Sequence, residues 1–197
     1  MGTEVRLVAG ASLPVYADGI RQVYAEVFSA PPWDEDEATA GLYLERLAAD
    51  AQRPGFTAAL AFDGDTVVGF ATAWSTPESF PEDRSYGHVA AALGSERTAA
   101  WLCGGLEVDE LAVTARARGT GLGAALLATV TGPAADGRCW LLTSVRAQGA
   151  LRFYQRAGWY QVPVTVPGRA ALTVLLGPRH PARPDAPGPD TPRPEGS

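Results

Sequence analysis

The sequence predicts one mixed α/β domain, a central mixed β-sheet flanked by helices on both sides. Three observations carry that prediction. Short apolar runs with strand alternation interleave with helix-period segments through residue 176. Two of those runs are joined by Asp63-Gly64-Asp65, the composition of a tight hairpin. A glycine-rich stretch, "ARARGTGLGAALL" (115–127), stands between a long strand pattern and an apolar helical one. A chain of 197 residues is long enough to bury one sizeable core.

Taken in order, "EVRLVA" (4–9) alternates like a short strand. Residues 16–29 place Ile20, Val23, Tyr24 and Val27 on one helical stripe, and 37–49 predict a second helix through Leu42, Leu44 and Leu47. "FTAALAF" and "TVVGFATAW" form the arms of the hairpin. Residues 77–99, opening "PESFPEDRSYGHV", read as a polar insertion with one short helix. Its Arg84, Tyr86 and His88 suit a lid or a dimer contact, and the sequence does not choose between them.

"AWLCGGLEVDELAV" (100–113) reads as one long strand, followed by a helix over about 120–131. "CWLLTSV" (139–145) is an apolar strand. "QGALRFYQRAG" (148–158) is a short helix stopped by Gly158, and strands near 159–166 and 170–176 close the domain. The remaining 177–197 hold seven prolines and no large apolar residue. They are expected to form a disordered tail after a domain spanning 1–176, with His180 outside the chemistry.

Composition narrows the partners. The formal charge of −6 supplies no basic field for nucleic acid or an anionic membrane. All 16 basic residues are arginine, so no catalytic or Schiff-base lysine exists and cationic side chains serve as anion clamps. Cys103 and Cys139 sit in apolar runs, as small core residues do, and their spacing forms neither a disulfide framework nor a metal site. The N-terminus lacks a basic region followed by an apolar stretch, and no apolar run approaches the ~18 residues of a spanning helix. A cytoplasmic protein, monomeric or homodimeric, is expected.

The glycine loop has competing explanations. A Walker-type phosphate loop needs a lysine followed by Ser or Thr, and here Ala124 follows Gly123 in a chain without lysine. Gly119-x-Gly121-x-x-Ala124 formally satisfies a dinucleotide fingerprint, yet the next strand ends "LLTSV" with no acid for a ribose. The preceding strand also carries three acids where a central parallel strand is nearly all apolar. A plain strand-to-helix turn explains one or two glycines but hardly Arg116 and Arg118 as well. Strand end, arginines, bare N–H groups and a helix N-terminus together make a pyrophosphate site.

At this point the residues reach a family. "LAVTARARGTGLGAALL" resembles the Arg/Gln-x-x-Gly-x-Gly/Ala motif of the GNAT acyl-CoA N-acyltransferase superfamily, through Arg118, Gly121 and Gly123. "FYQRAGW" is similar to the family's second motif, through Tyr154, Gly158 and Trp159. The resemblance covers about 1–176 and implies the GNAT-like fold, acetyl-CoA as cosubstrate and no metal. It implies pyrophosphate binding by backbone N–H groups of Gly119, Thr120, Gly121, Leu122, Gly123 and Ala124, with Arg118 at the head of the motif. It implies that the backbone of Leu111, Ala112 and Val113 pairs with the pantetheine arm, and that Tyr154 protonates the departing thiolate. Ala147 stands where many relatives carry an asparagine, which alters the start of the second helix.

The base and the acceptor wall are less directly indicated. A neutral amine nucleophile requires a carboxylate, or a water it orients, to take a proton. Glu107 and Asp109 share one face of a regular strand and are the expected pair, as in some relatives, with Glu110 in reserve because only a bulge would turn it to that face. Trp33, Asp34 and Glu110 are the candidate acceptor-wall residues. Asp34 to Glu37 serve equally well as the charged cap of the second helix. The resulting expectation is an N-acetyltransferase acting on a small-molecule primary amine by direct attack in a ternary complex. A protein or peptide acetylase of the same fold and a non-catalytic CoA-binding module remain open alternatives.

Overall fold

The structure, a computed structural model, describes residues 2–168 and 171–184. Seven strands form one sheet: β1 (Thr3–Val8), β2 (Thr57–Asp63), β3 (Thr66–Ser75), β4 (Leu106–Val113), β5 (Cys139–Ser144), β6 (Tyr160–Val166) and β7 (Leu172–Leu176). Their spatial order is β1-β2-β3-β4-β5-β7-β6. Every neighbouring pair is antiparallel except β4 and β5, whose parallel ladder runs only from Leu106↔Cys139 to Val108↔Leu141. The sheet is mixed, as the sequence predicts.

Alternation along the strands feeds two layers. On β2, Ala58, Leu60 and Phe62 pack under α1 (Ala17–Phe28) and α2 (Glu37–Asp50), while Ala59 and Ala61 pack under α4 (Leu122–Thr131) on the other face. Phe70 and Ala112 continue the first layer; Ala71, Ala73, Val108 and Leu141 continue the second. α5 (Gln148–Arg156) joins the second layer through Leu151 and Tyr154. Helix α1 buries Ile20, Val23, Tyr24 and Phe28, a clean helical stripe.

Helix α2 turns a different face inward than its leucines predict. It buries Ala40, Tyr43, Leu47 and Asp50, and leaves Leu42 62% exposed. Tyr43 wins that face because its ring stacks on Tyr24 at 4.2 Å and meets Phe70 at 5.7 Å. Asp36 caps the helix, its side chain accepting from the Thr39 N–H at 2.9 Å.

Two other expectations change. The strand expected from residue 100 begins at Leu106; before it, Thr98–Leu102 form a π-helical turn that buries Thr98 and Leu102. Gly104 (φ 69°) breaks the extended chain between them, and a Cβ on Gly105 would lie 2.9 Å from the Arg138 carbonyl, so both positions call for glycine. The expected short helix of the insertion is α3 (Tyr86–Leu93), which covers Trp140, Val162, Val174 and Leu176. Residues 177–184, expected in the disordered tail, instead fold back on the domain. His180 is fully buried, its Nε2 2.8 Å from the Trp101 carbonyl while its Nδ1 accepts from the Ala182 N–H, and Arg183 donates to the Gly158 carbonyl. Backbone acceptors thus secure a segment that has no apolar stripe. The rest of that tail, 185–197, lies outside the described residues.

Candidate active site

The parallel ladder between β4 and β5 stops at Val108↔Leu141, so beyond it the two strands offer facing edges without a shared ladder. A cleft of about 1020 Å³ opens at this split. Leu111 and Val113 of β4, Leu142 and Thr143 of β5, the glycine loop, the start of α5 and the segment between α1 and α2 line it.

The glycine loop forms one end. Gly119 and Gly121 adopt φ of 79° and 88°, where a side chain is strained. A Cβ at either position would point into open space, so these residues are glycine for backbone shape rather than for packing. Gly121 begins α4 without a side-chain cap, and no acid lies in its first turn. The first N–H groups of the helix therefore lack a side-chain acceptor at an end that favours anions. Gly123 is glycine for another reason: its Cβ position is 3.3 Å from the Phe153 ring. Arg118 lines the cleft with Nε donating to the Val113 carbonyl at 3.1 Å, and Arg146 and Arg156 line it too. Thr120 bonds the Ala117 carbonyl at 2.7 Å and closes the turn. These residues fit a pyrophosphate, and the open β4 edge at Leu111, Ala112 and Val113 fits an extended amide arm laid beside it.

Helix α5 starts without a side-chain cap. Ala147 occupies its N-cap position without a side-chain bond, and Gln148 donates to the Val145 carbonyl at 2.8 Å. Tyr154 lines the cleft between Phe153 and Trp159, with ring separations of 5.1 and 5.9 Å. Burial and the nearby Glu110 raise its phenol above the ordinary value, which keeps it a proton donor.

The acids of β4 are rearranged by a bulge. Thr72 pairs with Glu110 and Ala73 with Val108, leaving Asp109 as the extra residue. The slip brings Glu110 to the side where Glu107 and Asp109 also lie, and all three line a second cavity of about 240 Å³ beside the cleft. Asp109 and Glu110 line the main cleft as well; Glu107 does not. The pair favoured by the sequence is thereby separated. Glu107 is buried and accepts from the Tyr86 hydroxyl at 2.7 Å, and burial pushes its carboxyl up to about 8.

Arginines from distant segments meet these acids. Arg46 Nη2 donates to Glu110 at 3.1 Å and lies 4.0 Å from Asp109. Arg84 donates to both oxygens of Asp50, at 2.7 and 2.6 Å, and to Asp109 at 3.3 Å. Its backbone holds a positive φ of 51°, strain maintained where the guanidinium is anchored twice. The insertion therefore docks onto the acidic strand. Glu110 is raised to about 8 by burial and the like charge of Asp109, against the pull of Arg46. Asp109 is also raised by burial, with Arg46 and Arg84 drawing it back.

At the acceptor end, Trp33 lines the cleft and packs edge-on against Phe28 at 5.6 Å. Asp34 is not among the lining residues and sits in a turn at φ 50°. Glu35 lines the cleft in its place and accepts from the Tyr24 hydroxyl at 2.8 Å. The acidic run thus divides its labour: Glu35 faces the cleft, Asp36 caps α2, and Glu37 pairs with Arg21 at 3.1 Å. From the acidic run sequence reasoning singled out Asp34 and not Glu35, and it missed Arg46 and the role of Arg84. Cys103 and Cys139 are buried free thiols, Cys139 pushed up to about 11 by burial. Among the described residues no helix is long and apolar enough to cross a membrane.

Solved structures with the same fold agree on the architecture. A Desulfovibrio desulfuricans protein assigned to the GNAT family of acetyltransferases is 22% identical at a TM-score of 0.59, covering 89% of this chain and 96% of its own. A Corynebacterium glutamicum protein described as histone acetyltransferase HPA2 and related acetyltransferase is 20% identical at 0.58, covering 93% and 100%. The PaiA N-acetyltransferase of Thermoplasma acidophilum, solved in complex with coenzyme A, is 13% identical at 0.56, covering 90% and 99%. No curated protein matches the chain by sequence. The likenesses to solved structures show that the chain shares their fold. The profile of the Acetyltransferase (GNAT) family matches residues 18–159, and the chain belongs to that family. Its members use acetyl-CoA as acetyl donor.

Proposed function

We propose that the protein transfers an acetyl group from acetyl-CoA to a primary amine on a small molecule, by direct attack while both are bound. The observation that carries this reading is that Tyr154 and Glu110 line one cleft at the β4–β5 split. Acetyl-CoA supplies the acetyl group as an activated thioester. Around it, the loop N–H groups from Gly119 to Ala124 and Arg118 hold the diphosphate, and the Leu111–Val113 edge aligns the arm. Glu110, directly or through a water, takes a proton from the acceptor ammonium, and the raised carboxyl matches that task near neutral pH. The Tyr154 hydroxyl gives a proton to the sulfur as the thioester bond breaks.

This assigns the base to Glu110, with Asp109 beside it, rather than to Glu107 with Asp109. Both cysteines are buried core residues away from the cleft lining, which supports direct transfer over an acyl-cysteine intermediate. Glu35, Asp109 and Glu110 give the acceptor end an anionic wall, with Phe28 and Trp33 as its apolar part. The test follows thiol release from acetyl-CoA across a panel of small amines and short peptides. Turnover of small amines supports the reading. Turnover of peptides alone transfers it to a protein acetylase, and CoA binding with no turnover reduces it to a binding module.

A further inference from the structure

The two arginines beside the acids differ in how fully they are used. Arg84 is anchored on Asp50 and Asp109 and lies over the Trp74 ring at 5.2 Å. Arg46 lies over the Tyr43 ring at 5.1 Å but makes one hydrogen bond among the described residues, to Glu110 at 3.1 Å. Its other acids stand farther off, Asp50 at 3.9 Å and Asp109 at 4.0 Å. Its Nε is buried without a hydrogen-bond partner, yet the side chain as a whole is 40% exposed. A guanidinium with donors to spare therefore lies at the junction of two cavities, since Asp109, Glu110, Leu142 and Leu172 line both and Arg46 lines the smaller.

The one anion Arg46 bonds is the group that has to change charge. An ammonium arriving at Glu110 competes with Arg46 for that carboxylate, and proton uptake by Glu110 then removes its charge altogether. Either event removes the one hydrogen-bonded counter-charge of a partly buried cation and leaves only the longer pairs to Asp50 and Asp109, which is costly. A ligand that brings its own carboxylate replaces what is lost, in the planar fork geometry that arginine offers an oxyanion.

We propose that the acceptor is a small zwitterion, an amine with a carboxylate on the adjoining carbon, whose carboxylate is received by Arg46 while its amine faces Glu110. This rests on the N-acetyltransferase reading above and narrows its substrate to α-amino acids and close analogues. The internal Arg46–Glu110 pair is exchanged for two pairs with the ligand. The 240 Å³ cavity, with Leu142 and Leu172 among its walls, has room for a modest side chain.

The experiment compares kcat/KM for the twenty common L-amino acids, their primary amides, and alkyl- and arylalkylamines without a carboxylate. The expected result is at least one amino acid preferred about 30-fold or more over its amide and decarboxylated amine, as for a site built around one charged contact. In R46M that preference collapses to within about threefold, and R46K recovers part of it, Lys keeping the charge without the fork. Because the readout is a ratio, any effect of Arg46 on Glu110 common to all acceptors cancels. Equal or better use of amides and plain amines overturns the zwitterion and leaves N-acetyl transfer standing. A preference that survives in R46M overturns the role of Arg46. Silence on every amine, with or without a carboxylate, overturns the small-molecule reading together with this proposal.

Discussion

At its cofactor end the cleft is shaped by main chain, and at its acceptor end by side chains gathered from far apart. Gly119 and Gly121 present a bare helix N-terminus, and the open β4 edge adds more backbone. Opposite them, α2 contributes Arg46 and Asp50, the insertion Arg84 and Tyr86, and the bulged strand Glu107, Asp109 and Glu110. Backbone recognition suits a ligand that every member of the family shares. Side-chain recognition is where one member departs from another, because single substitutions change charge without disturbing the fold.

The sharpest way to break this comparison is to remove the proposed base. E110Q is expected to lower kcat/KM about 100- to 1000-fold, the scale of a lost general base. Glu110 must be ionised to act, so the wild-type rate should rise about tenfold per pH unit up to about 8 and then level, and E110Q should flatten that slope. Thiol release followed from pH 6 to 9 checks both; a full-rate E110Q beside a crippled E107Q would return the role to Glu107. Next, Y154F should cost about 10- to 100-fold in kcat while KM for acetyl-CoA stays within about threefold, because the hydroxyl acts only as the thioester breaks.

At the cofactor end, smaller losses of a different kind are expected. G121A forces a Cβ into the left-handed region at φ 88°, a strain of about 1–2 kcal/mol that should weaken CoA binding roughly tenfold in calorimetry. Its effect should be on KM for acetyl-CoA and not on the pH profile. Last comes stability. Burial raises the Glu107 carboxyl from 4.5 to about 8, so its neutral form is the one the fold prefers. That contribution is complete below the unfolded value and is lost as pH climbs through about 8. E107Q should escape the loss and melt roughly 3–6 °C above wild type at pH 9, with little difference at pH 5. A variant that melts lower at every pH would show that the Tyr86 bond outweighs burial.

The two ends also differ in how legible they were. Gly119, Gly121 and Gly123 announced a strand-to-helix turn within five residues, and periodicity placed α1, α4, α5 and the β2–β3 hairpin close to where they lie. Helix α2 was found but its face was misread, because Leu42 is exposed and Tyr43 is not. The π-helical turn at Thr98–Leu102 looked like strand, since an apolar run cannot by itself distinguish the two. The grouping of the acids was not legible for a similar reason: Glu107 and Asp109 share a face only if the strand is regular, and the register slip at Asp109 is set by its pairing with β3. His180 looked like tail because its partners, Trp101 and the Ala182 N–H, give no signal in a proline-rich run.

The sequence by itself determined what short-range chemistry can encode: a mixed α/β sheet, a glycine-led helix start without a side-chain cap and a tyrosine on the helix that follows. Those depend on glycine freedom, apolar period and chain order, all expressed within a dozen residues. Only the tertiary structure decided which acid meets the cleft and which cations surround it. Arg46 and Glu110 are 64 residues apart, Arg84 and Asp50 34, and Tyr86 and Glu107 21. Such pairs exist only once the sheet has folded and the bulge has turned Glu110 toward them, because charge contacts depend on distance in space and not along the chain.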